Sequence, residues 1–505
     1  MLAASGQGEQ ALALVRKIWV GSDVDPDTEQ AILGRFGSSL GPEDHAARLD
    51  RLIWDGQISA ARRQLLLVPE AERLAAEARL ALAGLEADAA TRLARVPDRL
   101  RNNAGLLFER ARWSRRKDLL EEAAAILTNP PAELGRPAAW QAERQILARR
   151  LIDSGNDRLA YDVIARHGLR EGSAEYADAE FLSGWIALRR LSKPKIAYEH
   201  FVRLYAAVKL PISRSRAAYW AGRAAEALAM AADSRRWLKA AAAHGHTYYG
   251  QLAAERLGKA VALKFPQDPQ PSPEDVAGFE SNELVRAARM LSEIGESAIA
   301  KPFLQYLTAA ARTPAEQKLI AALAESAGRL DVAVAAAKRV SADEPRLLAS
   351  GFPLIAIDDR GTAEKPLILA ITRQESAFDE AAVSRSDARG LMQLKPSTAK
   401  DVARSLSLPF SADRLLTDAT YNLTLGHAYL DKMLDTFNGS YALSIAAYNA
   451  GPARVAQWLN THGDPHSGSV DIVDWIELIP FGETRNYVQR VLENLQIYRL
   501  RLGER

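Results

Sequence analysis

The chain has 505 residues, of which 48% are apolar, 25% charged and only 7% aromatic, and it contains no cysteine. That length exceeds one hydrophobic core, and the balance excludes a disordered chain, disulfides, thiolate metal sites and a cysteine nucleophile. Lys plus Arg number 65 against 63 for Asp plus Glu, so a formal charge of +2 gives no electrostatic argument for nucleic acid or a membrane surface.

Ala, Leu, Arg and Glu dominate, which predicts an all-α protein. The opening "MLAASGQGEQALALVRKIW" has no basic segment followed by an apolar run, and no later stretch approaches the roughly 18 apolar residues of a membrane span. If the protein is exported, the numbered chain is expected to be the mature form behind a start methionine. From Glu9 to about residue 264, short amphipathic helices alternate with brief turns and predict a helical solenoid. "RLIWDGQISAARRQLL" (51–66), "GWIALRRLSKPKIAYEHF" (184–201) and "YWAGRAAEALAMAADSRRWLKAA" (219–241) each read as a large aromatic, a turn and a second, alanine-rich helix. Trp19 and Trp54 are 35 residues apart, as are Trp185 and Trp220, close to the period of helix-turn-helix repeats.

"KFPQDPQPSPEDV" (264–276) packs four prolines into eight residues, which excludes helix interior and central strand and marks a linker. Helical periodicity resumes over 277 to about 345. After "SADEPRLLASGFP" the chain gains aromatics and Gly, Asn and Pro punctuation, as in a compact domain with loops lining a cleft. The expected division is 1–264 (solenoid), 265–346 (small helical linker domain) and 347–505 (compact, mainly helical domain).

Within the last segment, "KPLILAITRQESAFD" starts as a helix with Pro366 in its first turn. Leu367, Ile368, Ile371, Glu375 and Phe378 share one face, which puts a carboxyl on an apolar stripe. Desolvation there raises a carboxyl pKa, and an acid still protonated near neutral pH can donate to a glycosidic oxygen. An isolated glutamate on such a face is more often a structural ion pair, here with Arg385 or Arg389 as candidates, so Glu375 alone does not decide. "GLMQL" (390–394) follows at a spacing that lets a loop return over the helix. Gly390 permits close backbone approach, and Gln393 offers groups suited to sugar amides and hydroxyls. "SIAAYNAGPARVAQWL" (444–459) reads as a helix ending at Gly451 with Pro452 opening the next, which exposes Tyr448 and Asn449 at a helix end. A tyrosine there can hydrogen-bond the acid or a substrate oxygen. "WIELIPFGETRNYV" (475–488) adds an aromatic turn with Glu483 and Tyr487. The histidines are scattered, with His244/His246 and His462/His466 the close pairs, so no metal site is expected.

The order ES (375–376), Ser384, GLMQ (390–393), AYNAG (447–451) and IPF-ETR-YV (479–488) resembles the soluble lytic transglycosylases, which cleave peptidoglycan. "DATYNLTLGHAYLDKML" (418–434) is similar to the helix between these motifs, with Asn422, Gly426 and Tyr429 in matching places. The solenoid and proline-rich junction resemble the U-shaped α-superhelical and linker domains of that family's large periplasmic members. The resemblance implies a lysozyme-like catalytic domain and a periplasmic location. It implies Glu375 as sole acid and base, and Ser384, Met392, Gln393, Tyr448, Asn449, Glu483 and Tyr487 as substrate contacts. Ser384 matches a serine that helps orient the substrate N-acetyl group. Asp379-Glu380 and Asp387-Ala388-Arg389 depart from the family's usual Asn-Pro and Gly-Ala.

Ordinary glycosidases use two carboxylates, and no second one stands in a comparable motif. Asp379, Glu380 and Asp387 are near in sequence but read equally well as exposed loop charges. The resemblance implies instead a single-acid, non-hydrolytic cleavage of the bond between N-acetylmuramic acid and N-acetylglucosamine, giving a 1,6-anhydro product with no cofactor. The rivals are a hydrolase using the same acid with an activated water and a noncatalytic glycan-binding scaffold. Glycan strands are the expected partner, with cell-wall synthesis proteins as candidates for the solenoid.

Overall fold

A computed structural model describes residues 8–258, 267–340, 347–357 and 361–503. Among the described residues the fold is helical throughout, and its extended pairing is limited to two isolated bridges, Val383 with Arg389 and Arg389 with Leu394. The all-α class expected from composition is therefore what the chain adopts. Two compact units are defined, Met1–Ile186 and Ala187–Arg505.

Within each unit the helices pair through one recurring turn. Pro42–Trp54 meets Ile58–Gln64, Ala104–Arg116 meets Leu120–Thr128, and Pro137–Asp153 meets Asp157–Ala165. Farther along, Pro194–Ala207 follows Ala174–Arg189, and Pro211–Ala227 pairs with Ala231–Ala242. Each turn holds a residue in the left-handed region: Gly56 (φ 71°), Asp118 (64°), Gly155 (77°), Ser192 (51°) and Ala229 (58°). The amides of Gln57, Leu119, Asn156 and Met230 then donate back to the carbonyls of Leu52, Ser114, Leu151 and Ala225 at 2.8–2.9 Å. This is the Schellman arrangement that satisfies carbonyls at a helix end. From Asp118 to Gly155, Ser192 and Ala229 the spacing is 37 residues each time. The 35-residue period read from Trp185 and Trp220 is two short because these rings occupy different turns of their helices, seven residues before Ser192 and nine before Ala229. Both rings are buried, as are Trp19 and Trp140.

Residues 267–272 are non-helical, while 264–266 of the proline-rich stretch and 341–346 lie outside the described residues. The helices from Pro273–Ser281 to Leu330–Val340 enclose their own core of Val285, Ala288, Ala300, Leu304, Ile320 and Ala333. Farther on, Lys365–Glu375 packs along Gly482–Leu502. Pro366 to Thr372 are all buried, so this helix is enclosed on every side rather than along one stripe. It ends at Glu375, which leaves Phe378 off the helix and in the following loop.

Candidate active site

The end of the Lys365–Glu375 helix is where the chain must turn sharply. Ala377 (φ 53°) and Phe378 (φ 71°) are both left-handed, a costly conformation for residues with a Cβ, and costlier still for a bulky one. Ser376 holds the turn: its hydroxyl donates to the Leu391 carbonyl at 2.8 Å and accepts from the Phe378 amide at 3.1 Å. The helix end and the GLMQ segment are thereby fastened together.

Asn422, buried in the Ala419–Thr436 helix, pins that segment from below. Its Nδ2 donates to the carbonyls of Arg389 and Leu415 at 2.9 and 3.0 Å, and its Oδ1 accepts from the Met392 amide at 2.9 Å. Two glycines allow this closeness. A Cβ on Gly390 (φ 75°) would meet the Leu415 carbonyl at 2.1 Å, and one on Gly426 would meet Met392 Sδ at 2.3 Å. Gln393 Nε2 donates to the carbonyls of Ala382 and Gly390, each at 3.0 Å, and ties the loop to itself.

Above this floor lies a cavity of about 400 Å³. Glu375, Ser384, Gln393, Tyr448, Asn449 and Glu483 line it together, although 108 residues separate the first from the last. Tyr487 stands behind Glu375 and donates its hydroxyl to Oε1 at 2.6 Å. Glu375 reaches the cavity but is otherwise surrounded by protein, and this burial lifts its carboxyl from 4.5 to about 7. The Tyr487 hydrogen bond opposes the rise by favouring the charged form, and the nearby charge of Glu483 adds to it. The ion-pair alternative fails: Arg389 is held by Asp387 at 2.9 Å, Arg385 is exposed, and the bond to Glu375 is made by tyrosine.

Four placements differ from expectation. Met392 is fully buried against Gly426 and is absent from the cavity wall, because its unbranched side chain fills the gap beside the glycine. Tyr448 turns its hydroxyl to the Met392 carbonyl at 2.8 Å and not to the acid, so Tyr487 takes the part considered for it. Asp379 is not a solvated loop charge but is gripped by Lys301 and Arg329. Tyr487, expected as a substrate contact, is buried against Glu375 and absent from the cavity wall, whereas Glu483 lines the cavity as expected and is a second carboxylate there, brought by the first turn of Gly482–Leu502.

Lys395, Thr398 and Arg454 also line the cavity and went unread in the sequence. Arg454 had a signal, since it falls in the first turn after the Gly451-Pro452 break. Tyr429 lines it too; it shares a helical face with Asn422 and Gly426, and its ring centroid lies 5.2 Å from that of Tyr448.

A helical domain that buries one acid beneath a groove of hydroxyls, amides and aromatic rings has the equipment to bind and protonate a sugar chain. Residues 353–468 match the transglycosylase SLT domain. Residues 478–505 match the soluble lytic transglycosylase helical domain, a match that falls on the last long helix and not on the N-terminal hairpins. The chain is similar to the soluble lytic murein transglycosylase of Escherichia coli (strain K12), with 32% identity over 265 residues, or 51% of this chain and 40% of that relative. Its fold is similar to the solved inactive glutamate-to-glutamine mutant of lytic transglycosylase Slt from Pseudomonas aeruginosa. That likeness has a TM-score of 0.78 and 26% identity over 99% of this chain and 80% of that one. The 70 kDa soluble lytic transglycosylase of Escherichia coli gives 0.73 at 23% identity, over 100% of this chain and 80% of that one, and supports the fold alone.

Proposed function

We propose that this chain is a soluble lytic murein transglycosylase, cleaving the β-1,4 bond between N-acetylmuramic acid and N-acetylglucosamine without consuming water. The observation that carries this reading is Glu375, a carboxyl pushed up to about 7 and open to a cavity lined by polar side chains. Half of such groups hold their proton at neutral pH, which suits both donating and reclaiming it. Tyr487 occupies Oε1, so the proton is presented from the other carboxyl oxygen to the glycosidic oxygen. As that bond breaks, the substrate's own acetamido group stabilises the cation at C1. Glu375, now a carboxylate steadied by Tyr487, takes the proton of the O6 hydroxyl, and O6 closes on C1 to give the 1,6-anhydro sugar. The acid ends protonated, as it began.

Ser384, Gln393, Tyr448 and Asn449 are the proposed sugar contacts, and Glu483 the group that keeps Glu375 protonated. The proposed organisation is a solenoid over 1–264, a linker domain over 265–346 and the glycan-cleaving domain over 347–505. Periplasmic glycan strands are the partner, and cell-wall synthesis proteins are candidates for the solenoid. Among the described residues no helix is long and apolar enough to cross a membrane. The relatives' names support the activity class, and the inactive mutant of the Pseudomonas protein, a glutamate-to-glutamine change, supports reliance on one acid.

Glu483 favours one second reading, hydrolysis in which it activates a water. Mass spectrometry of digested peptidoglycan separates the two. The proposed product is lighter by one water than a hydrolytic one, and Glu375→Gln should abolish its release. Full-mass products, or cleavage untouched by the substitution, would overturn the assignment.

A further inference from the structure

Directly after Glu375 the backbone is strained, and something must hold it. Ala377 and Phe378 are left-handed in succession, and a backbone in that state persists only where its surroundings over-determine it. The next residue is Asp379. Its amide closes the turn onto the Ser376 carbonyl at 3.1 Å, and both its carboxyl oxygens are taken by cations from elsewhere in the chain. Lys301 Nζ reaches Oδ2 at 2.6 Å, and Arg329 Nη2 reaches Oδ1 at 3.1 Å. Asp331 completes the set, 2.9 Å from Lys301 and 2.7 Å from Arg329. The four side chains are between 11% and 25% exposed, shielded enough for their attraction to exceed that of a surface pair. Lys301 stands on Ser297–Ala310 and Arg329 just before Leu330–Val340, two helices that share a core of their own.

Resting on Glu375 as the acid of the proposed reaction, we infer that this four-charge network positions it, with Asp379 as the positioning residue and Lys301 and Arg329 as its anchors. The anchors act through the three residues that separate Glu375 from Asp379, two of them left-handed: while Asp379 is gripped, the Ala377–Phe378 turn stays closed, Phe378 stays buried and Glu375 keeps its protein surroundings. The network is electrically balanced, two cations against two carboxylates. Although burial acts the other way, the hydrogen bonds and charges of Lys301 and Arg329 hold Asp379 below its ordinary range, so it remains charged and gripped throughout the working pH. The groups facing Glu375 itself are Tyr487, Tyr448 and Glu483, and none of them is altered when Asp379 is changed.

The test uses the full chain with Asp379→Asn, Lys301→Met and Asp379→Glu, each followed by kcat and KM on purified glycan strands and by carbon NMR titration of the Glu375 carboxyl. Loosening the turn admits water to Glu375 and moves its midpoint toward the ordinary value. In Asp379→Asn and Lys301→Met the midpoint should fall by about half a unit or more, and kcat by roughly tenfold or more with KM little changed. Asp379→Glu should recover part of both. If Asp379→Asn does not fold, Lys301→Met carries the same readouts with Arg329 still in place. An unmoved midpoint and unchanged kcat, or a loss of thermal stability alone, would overturn the inference. The titration keeps the two proposals separable. A moved midpoint in a protein that releases no anhydro product refutes the activity and leaves the positioning intact, whereas product release with an unmoved midpoint does the reverse.

Discussion

The hairpin turns of the N-terminal helices and the loop after Glu375 solve the same problem, a backbone forced into left-handed conformations, by opposite means. In the hairpins the relief is local. The helix's own carbonyls receive the amides just beyond the turn, and the left-handed residue can be Gly, Asp, Ser or Ala. In the 377–394 loop the relief is largely long-range. Asn422, Tyr448, Lys301 and Arg329 reach in from distant positions, and Ser376 at the start of the loop ties it to Leu391, so the hold depends on particular side chains. A turn of the first kind tolerates sequence drift. A turn of the second kind fixes atoms for chemistry, at a cost in stability borne by the surrounding fold.

That contrast can be broken by experiment. The largest expected effect is on stability at Glu375. Its folded carboxyl holds a proton up to about pH 7, whereas the unfolded chain releases it near 4.5, so unfolding becomes easier as pH rises through this window. Glu375→Gln should therefore stabilise the protein by up to about 3 kcal/mol at pH 8 and by nothing at pH 4, read from urea unfolding. Equal effects at both pH values would remove the claim of a buried, protonated acid. Intermediate effects are expected at its neighbours, with opposite signs. Tyr487→Phe removes a donor that favours the carboxylate, so the alkaline loss of activity should move up by about a unit, whereas Glu483→Gln removes a like charge and should move it down by about as much. Shifts in the same direction would mean that neither group acts through the charge on Glu375. The smallest effect belongs to the hairpins. Ala229→Gly relieves a left-handed alanine and should raise stability by at most about 1 kcal/mol while glycan cleavage stays at the parent rate. A changed rate would show that the two kinds of turn are less different than their bonding suggests.

The helical class and the hairpins were legible because alanine-rich amphipathic segments and short turns are local signals. The 37-residue spacing was not, since its marker is a backbone angle held by Asp118, Gly155, Ser192 and Ala229, and only one of these residue types announces it. Glu375 could be found because a charge on an apolar helix is anomalous by itself. Which tyrosine bonds it could not, because Tyr448 and Tyr487 both sit in suitable motifs and only packing separates them. Asp379 looked like a surface charge because its partners lie 78 and 50 residues back along the chain. Met392 lies beside Gln393 in one short motif, yet one faces the core and the other the cavity.

Gln393 leaves a chemical signature on whatever occupies the groove. With its amide nitrogen already committed to the Ala382 and Gly390 carbonyls, what it turns toward a ligand is an acceptor. An acceptor oxygen pairs with a hydroxyl or an amide N–H and not with a bare carboxylate. On the proposed reading, the loop's own self-fastening therefore limits Gln393 to receiving a hydrogen bond from the sugar chain rather than giving one.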